Sequence, residues 1–147
     1  MGVGMKIYVK YHNKNLEGTI QQKAGSAWID LRAAETVEMK AGEHRIISLG
    51  VSIKIPDGYE AWLAPRSSTY KNFGFLITNS PGVIEMEYCG ETDVWGVSAL
   101  AMRDTVIHEG DRICHFRLMQ SMGEIAPIQV EHMDAEARGG FGSTGIS

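Results

Sequence analysis

Apolar residues recur at every second position through much of this chain, and that period commits it to β-structure rather than helix. In Met5-Lys6-Ile7-Tyr8-Val9-Lys10-Tyr11 the lysines alternate with apolar side chains, as in a half-buried strand. Arg45 to Ile55 reads as one longer strand with Ile47, Leu49, Val51, Ile53 and Ile55 on a single face. Gly50 interrupts it and marks a bulge or a close backbone approach. Tyr59 to Leu63, Phe73 to Thr78, Val94 to Met102 and Arg112 to Met119 are further strand candidates. Turn clusters separate them: Lys40-Ala41-Gly42-Glu43, Pro56-Asp57-Gly58, Asn79-Ser80-Pro81-Gly82 and His108-Glu109-Gly110-Asp111. The 17 glycines exceed the average usage of about 7% and suit a protein of many tight turns. Only Ser67 to Asn72 reads as a helical turn, with Ser67 or Ser68 as its cap. No repeat of 20–50 residues is found. The expectation is an all-β barrel or sandwich with one short helix. From Glu131 to Ser147 the alternation stops, and the Gly-, Ser- and Thr-rich run reads as a mobile tail.

The length, 147 residues, fits one domain with a real core. A net charge of −4 leaves no basic surplus for holding nucleic acid, so a polyanionic ligand needs a local positive pocket. Cys89 and Cys114 form no CxxC pair, suit a reducing compartment and read as buried structural thiols. The start, Met1 to Lys6, has no apolar signal-peptide core, and no run approaches the ~20 residues that span a bilayer. A soluble cytoplasmic protein without membrane or nucleic-acid partners is expected. His12, His44, His108, His115 and His132 lack zinc-ligand spacing, and Trp28, Trp62 and Trp95 read as core residues.

Four patches carry unusual residue content. Asp30 lies in the apolar run Ala24 to Ala33, where a carboxylate needs an ion-pair partner such as Arg66, or a metal-bound water. In Ala64-Pro65-Arg66-Ser67-Ser68-Thr69-Tyr70-Lys71 a proline ends a strand and hydroxyls open a helix. That string is either a plain cap or, with Arg66, a phosphate site. In Gly82-Val83-Ile84-Glu85-Met86-Glu87-Tyr88-Cys89-Gly90-Glu91, read as a hairpin, Glu85 can act as a general base or merely carry surface charge. Tyr88 is by itself an ordinary packing residue. Arg138-Gly139-Gly140-Phe141-Gly142-Ser143-Thr144-Gly145 offers an anion nest, two hydroxyls, one cation and one ring that can cover an aromatic face. It lacks the GK[ST] of a Walker loop.

Together with Gly110-Asp111-Arg112-Ile113-Cys114-His115-Phe116, these patches resemble the five ordered motifs of the trimeric dUTP diphosphatase (dUTPase) family, in the dUTPase/dCTP deaminase superfamily. The resemblance runs from Ala24 to Gly145. It implies a distorted jelly-roll β-barrel over residues 1–130, a flexible lid over 131–147, and a homotrimer with three sites at subunit interfaces. It implies hydrolysis of dUTP to dUMP and pyrophosphate with Mg²⁺ on the triphosphate. Backbone groups of Gly82, Val83 and Ile84, with Asn79, would read uracil, and Tyr88 would pack on the deoxyribose. Glu85 would activate the attacking water. Arg66, Ser67, Ser68 and His115 would hold phosphates, and Asp30 would act through metal-bound water. Arg138, Gly142, Ser143 and Thr144 would close over the triphosphate while Phe141 stacked on uracil.

Two positions depart from that family's pattern: Glu85 stands where aspartate is usual, and His115 where glutamine is common. Glutamate keeps the acid but adds a methylene, and a misplacement of about 1 Å can cost on the order of 10²-fold in rate. The alternatives to an active dUTP diphosphatase are a dCTP deaminase of the same fold and a catalytically weak, phage-type nucleotide-binding regulator. The deaminase's acid and base pattern is not found in this chain.

Overall fold

The structure is a computed structural model, and it describes residues 4–140. Eleven strands, one α-helix and one 3-10 turn make up its regular elements. They run β1 (Tyr8–Tyr11), the 3-10 turn (Lys14–Leu16), β2 (Ile29–Arg32), β3 (Val37–Met39), β4 (His44–Ser48), β5 (Val51–Lys54) and β6 (Tyr59–Ala64). Then follow α1 (Thr69–Phe73), β7 (Phe75–Ile77), β8 (Gly82–Ile84), β9 (Gly96–Ala101), β10 (Thr105–Ile107) and β11 (Arg112–Gln120). The all-β jelly-roll expectation, with its one short helix, agrees with this content. All strand pairs are antiparallel, in the sheets β1-β5, β10-β3, β2-β11-β6-β8 and β4-β9-β7.

Alternation along the strands fills one core. In β9 Val97, Ala99 and Ala101 point inward, and in β6 Ala61 and Leu63 do the same. Ile47, Leu49, Val51 and Ile53 are each no more than 1% exposed. Burying one such side chain fully stabilises the fold by roughly 1.5–3 kcal/mol. Trp95 meets Phe116 edge-on at 5.1 Å, a favoured aromatic geometry, in the same core.

Arg45 to Ile55 is two strands rather than one. β4 ends at Ser48 and pairs with β9, while β5 starts at Val51 and pairs with β1. Gly50 makes that change of sheet: its φ is +66°, and a Cβ there would lie 2.8 Å from the Ala34 Cβ. The hairpin expected at Gly82 to Glu91 is also corrected. β8 pairs with β6, and the chain then leaves the sheet through a turn in which Tyr88 N donates to Glu85 O.

A bulge in β11 sets the phase of the site. The register against β2 shifts between Arg112 and Cys114, so Ile113 and Cys114 are both buried. Beyond it Phe116 points inward, while His115 and Arg117 face outward. Burial raises the Cys114 thiol pKa, so that thiol stays protonated and inert. Cys89 is only half-buried. Trp95 is core as expected, but Trp28 and Trp62 are half-buried and lie outside the core cluster. After Gln120 the described residues form no strand or helix, and residues 121–140 are exposed throughout.

Candidate active site

Most of the residues singled out from the sequence gather at two cavities, though Ser68 lines neither. The first, of about 250 Å³, is polar: Gln21, Lys23, Ser26, Trp28, Asp30, Arg66, Ser67 and His115 line it. Pro65 follows the last residue of β6 and turns the chain so that Arg66 reaches β2. Arg66 Nε lies 3.0 Å from Asp30 Oδ1, and Arg112 Nη1 lies 3.5 Å from Asp30 Oδ2. The ion pair expected as one reading of Asp30 is therefore present. Lys23 and Arg66 against the single carboxylate of Asp30 leave the lining cationic, the local positive pocket that a chain of net charge −4 needs for a polyanion.

Neither serine closes the helix as expected. Ser68 occupies the N-cap position of α1 without a side-chain capping bond. Thr69 does the joining instead: Arg66 N donates to its Oγ1 at 2.8 Å, and that hydroxyl donates to Ile113 O at 3.0 Å. This fully buried threonine ties the Arg66 loop to β11 and so fixes Arg66 beside Asp30. Arg66 Nη1 also lies 3.5 Å from Ser68 Oγ.

His115 stands on β11 directly across from Asp30 on β2. Burial lowers its pKa, opposed by Asp30 and reinforced by Arg66, so the imidazole is neutral at pH 7 and keeps one N–H to donate. It stacks on Trp28 with ring centroids 4.3 Å apart.

The second cavity, of about 480 Å³, is more apolar. Asn79, Gly82, Val83, Ile84, Glu85 and Tyr88 line it together with Ile46, Leu63, Val94, Trp95, Gly96 and Val97. The loop after β8 is braced by short-range bonds. Gly90 N donates to Asp93 Oδ2 at 2.8 Å, Asp93 N donates to Gly90 O at 3.1 Å, and Tyr88 Oη donates to Val94 O at 3.2 Å. A Cβ on Gly90 would lie 2.8 Å from Asp93 Oδ2, so a larger residue there would displace the carboxylate that accepts from Gly90 N. Tyr88 is 45% exposed and Val83 50% exposed, and both line the cavity with Glu85.

The two cavities share no lining residue. Asp30 lies on β2 at one edge of the four-stranded sheet, and Gly82 to Ile84 form β8 at the other. Three strand spacings of about 4.8 Å put roughly 14 Å between those edges. Arg138 is exposed and lines neither cavity. Phe141, Gly142, Ser143 and Thr144 lie outside the described residues. Sequence reasoning missed Gln21, Lys23, Ser26 and Trp28 in the polar cavity. The signal for Trp28 was present, since it sits two residues before Asp30 and so shares its face of the strand.

Comparison with known proteins gives this arrangement a lineage. The dUTPase family model matches residues 15–145. The SPbeta prophage-derived deoxyuridine 5'-triphosphate nucleotidohydrolase YosS of Bacillus subtilis (strain 168) is 48% identical, over 96% of this chain and 99% of its own length. Among solved structures, the Staphylococcus bacteriophage 80alpha dUTPase with dUPNHPP shares the fold at a TM-score of 0.77 and 21% identity. That similarity covers 96% of this chain and 99% of the phage chain. A mutant dUTPase from phage phi11 of S. aureus, described with a structural Mg(II) ion, shares the fold at a TM-score of 0.74 and 20% identity. There 88% of this chain and 99% of the other are covered. With the family model spanning nearly every patch that lines the two cavities, the chain belongs to the dUTPase family.

Proposed function

We propose that this protein hydrolyses dUTP to dUMP and pyrophosphate. The observation that carries the reading is the division of the family's residues into a cationic cavity and an apolar one bearing a carboxylate. Uracil and deoxyribose enter the 480 Å³ cavity, where the backbone of Gly82 to Ile84 and the Asn79 amide read the base. Tyr88 packs on the sugar and leaves no room for a ribose 2′-hydroxyl. Glu85 orients a water and takes its proton as that water attacks the α-phosphorus. Arg66, Ser67 and His115 hold the phosphates from the cavity wall, the imidazole donating as a neutral group, with Ser68 beside Arg66. Arg138, Gly142, Ser143 and Thr144 close over the triphosphate, with Phe141 against the base, and exclude bulk water.

Among the described residues, no group of three His, Cys, Asp or Glu forms a metal cage. The lone carboxylate of Asp30 at the cationic cavity fits an ion that arrives on the triphosphate and keeps its waters. Mg²⁺ bound in that way offsets negative charge on the phosphates.

The active form is read as a homotrimer in which the apolar cavity of one copy meets the cationic cavity of another. Two observations support this: the separation of the cavities across the sheet, and Met122, Ile125, Ile128, Val130 and Met133, each 56–82% exposed after the last strand. An apolar run of that kind suits a surface covered by a neighbouring copy. Residues 131–147 act as the lid, and the protein works in the cytoplasm; no helix among the described residues is long and apolar enough to cross a membrane.

Incubation of the protein with dUTP, dCTP or dTTP and Mg²⁺, with products resolved by chromatography, tests the reading. dUMP and pyrophosphate from dUTP alone are expected. Ammonia from dCTP, or tight dUTP binding without turnover, would overturn it in favour of a deaminase or a nucleotide-binding regulator.

A further inference from the structure

The bulge in β11 turns His115 and Arg117 to the same outer face of the sheet. On β2, Asp30 is opposite His115 and Ile29 opposite Phe116. Trp28 immediately precedes β2, one residue before Ile29, within reach of both His115 and Arg117. Both contacts are made. The indole stacks on the His115 imidazole at 4.3 Å with 28° between the planes, and the Arg117 guanidinium carbon sits over the indole at 5.9 Å. Arg117 Nε is buried and has no hydrogen-bond partner among the described residues, so the indole face is the group that receives this cation. Trp28 also lines the cationic cavity beside His115.

We propose that Trp28 is a positioning residue for dUTP hydrolysis, its indole holding the His115 imidazole in one orientation at the wall of the cationic cavity. The inference rests on the reading of His115 as a phosphate donor and deepens it. An imidazole is shorter than the glutamine common at this position in the family and turns about two side-chain bonds. Left unstacked, it would spend much of its time turned away from the cavity. The stack removes that freedom before the ligand arrives, which lowers the ordering cost of binding. It explains why an aromatic residue, and not an aliphatic one, sits two residues before Asp30 on an otherwise half-exposed strand face.

Steady-state kinetics of Trp28→Ala, Trp28→Phe, His115→Gln and the double variant Trp28→Ala/His115→Gln test it. Trp28→Ala is expected to raise KM for dUTP on the order of tenfold with kcat within about twofold, since binding rather than the chemical step depends on the donor's placement. Trp28→Phe, which keeps a ring face, should return KM to within about threefold of the unsubstituted protein. With glutamine at 115 the indole has no imidazole to orient, so adding Trp28→Ala should change KM by less than about twofold. An equal rise in KM in both backgrounds would overturn the proposal, because Trp28 would then act independently of His115. So would an unchanged KM in Trp28→Ala. His115→Ala separates the two readings: if its KM is unchanged, His115 is no phosphate donor and the underlying reading falls. If KM rises there but not in Trp28→Ala, only the positioning role falls. The His115 imidazole ¹H–¹⁵N spectrum of the ligand-free protein gives a readout independent of turnover. Side-chain signals averaged by rotation in Trp28→Ala and fixed in Trp28→Phe are expected. Identical ring signals in all three proteins would contradict the stack's role.

Discussion

At the scale of single residues, the reading turns on Glu85. Its carboxylate lines the apolar cavity next to the half-exposed Tyr88 ring. Replacing it with glutamine keeps the shape and removes the base. We expect Glu85→Gln to lower kcat by on the order of 10²-fold or more, with dUTP affinity within a few-fold. Steady-state rates and calorimetric titration check this, and an active Glu85→Gln would remove Glu85 from the role of base. His115 gives a stability prediction of definite sign. Burial lowers its folded pKa, so once the pH drops below the ordinary imidazole value of about 6.5 the unfolded chain binds more protons than the folded one. The stability associated with neutral His115 is thus whole above about pH 6.5 and is lost as pH falls through the lowered folded value. Urea midpoints of the unsubstituted protein should therefore fall more steeply between pH 7 and pH 5 than those of His115→Gln. Asp30 shows how far sequence reaches at this scale. A carboxylate in an apolar run must have a partner, and Arg66 was nameable as one; Arg112 was not, because its approach depends on the β11 bulge.

At the scale of elements, alternation made most strands legible, β1 and β7 among the short ones, and left β3 and β10 hidden. β6, β9 and β11 fall where period two puts them. β3 (Val37–Met39) and β10 (Thr105–Ile107) are three residues each, too short for a period to show, and they exist because they pair with one another. The split of β4 from β5 at Gly50 depends on sheet partners, which local pattern does not encode. The helix was legible, with Ser68 at its N-cap position, but the bond that anchors it was not: Thr69 reaches Ile113 across a sequence separation of 44 residues, a contact made only once β11 is in place. The segment after β11 belongs to this scale as well. Residues 131–140, the described part of the proposed lid, have no regular structure and are exposed, as suits an element that closes over ligand. Deleting residues 139–147 is expected to lower turnover on the order of 10²-fold while leaving the melting temperature within a few degrees. Unchanged kinetics after the deletion would contradict the closing role.

At the scale of the whole molecule, one chain carries two separate cavities, which the proposed function takes as the two halves of a nucleotide site. The cavity lined by Glu85 and the cavity lined by Arg66 share no residue. In the proposed function the two cavities join between copies to hydrolyse dUTP. Complementation tests that claim most directly. Glu85→Gln and Arg66→Ala, each close to inactive alone, are unfolded together in equal amounts, refolded, and assayed for dUMP release. If sites form between copies, random mixing leaves about one site in four with both side chains intact, and activity returns to about a quarter of the unsubstituted protein's. Activity that stays at the level of the separate variants would show that Glu85 and Arg66 serve the same copy, and would contradict the account.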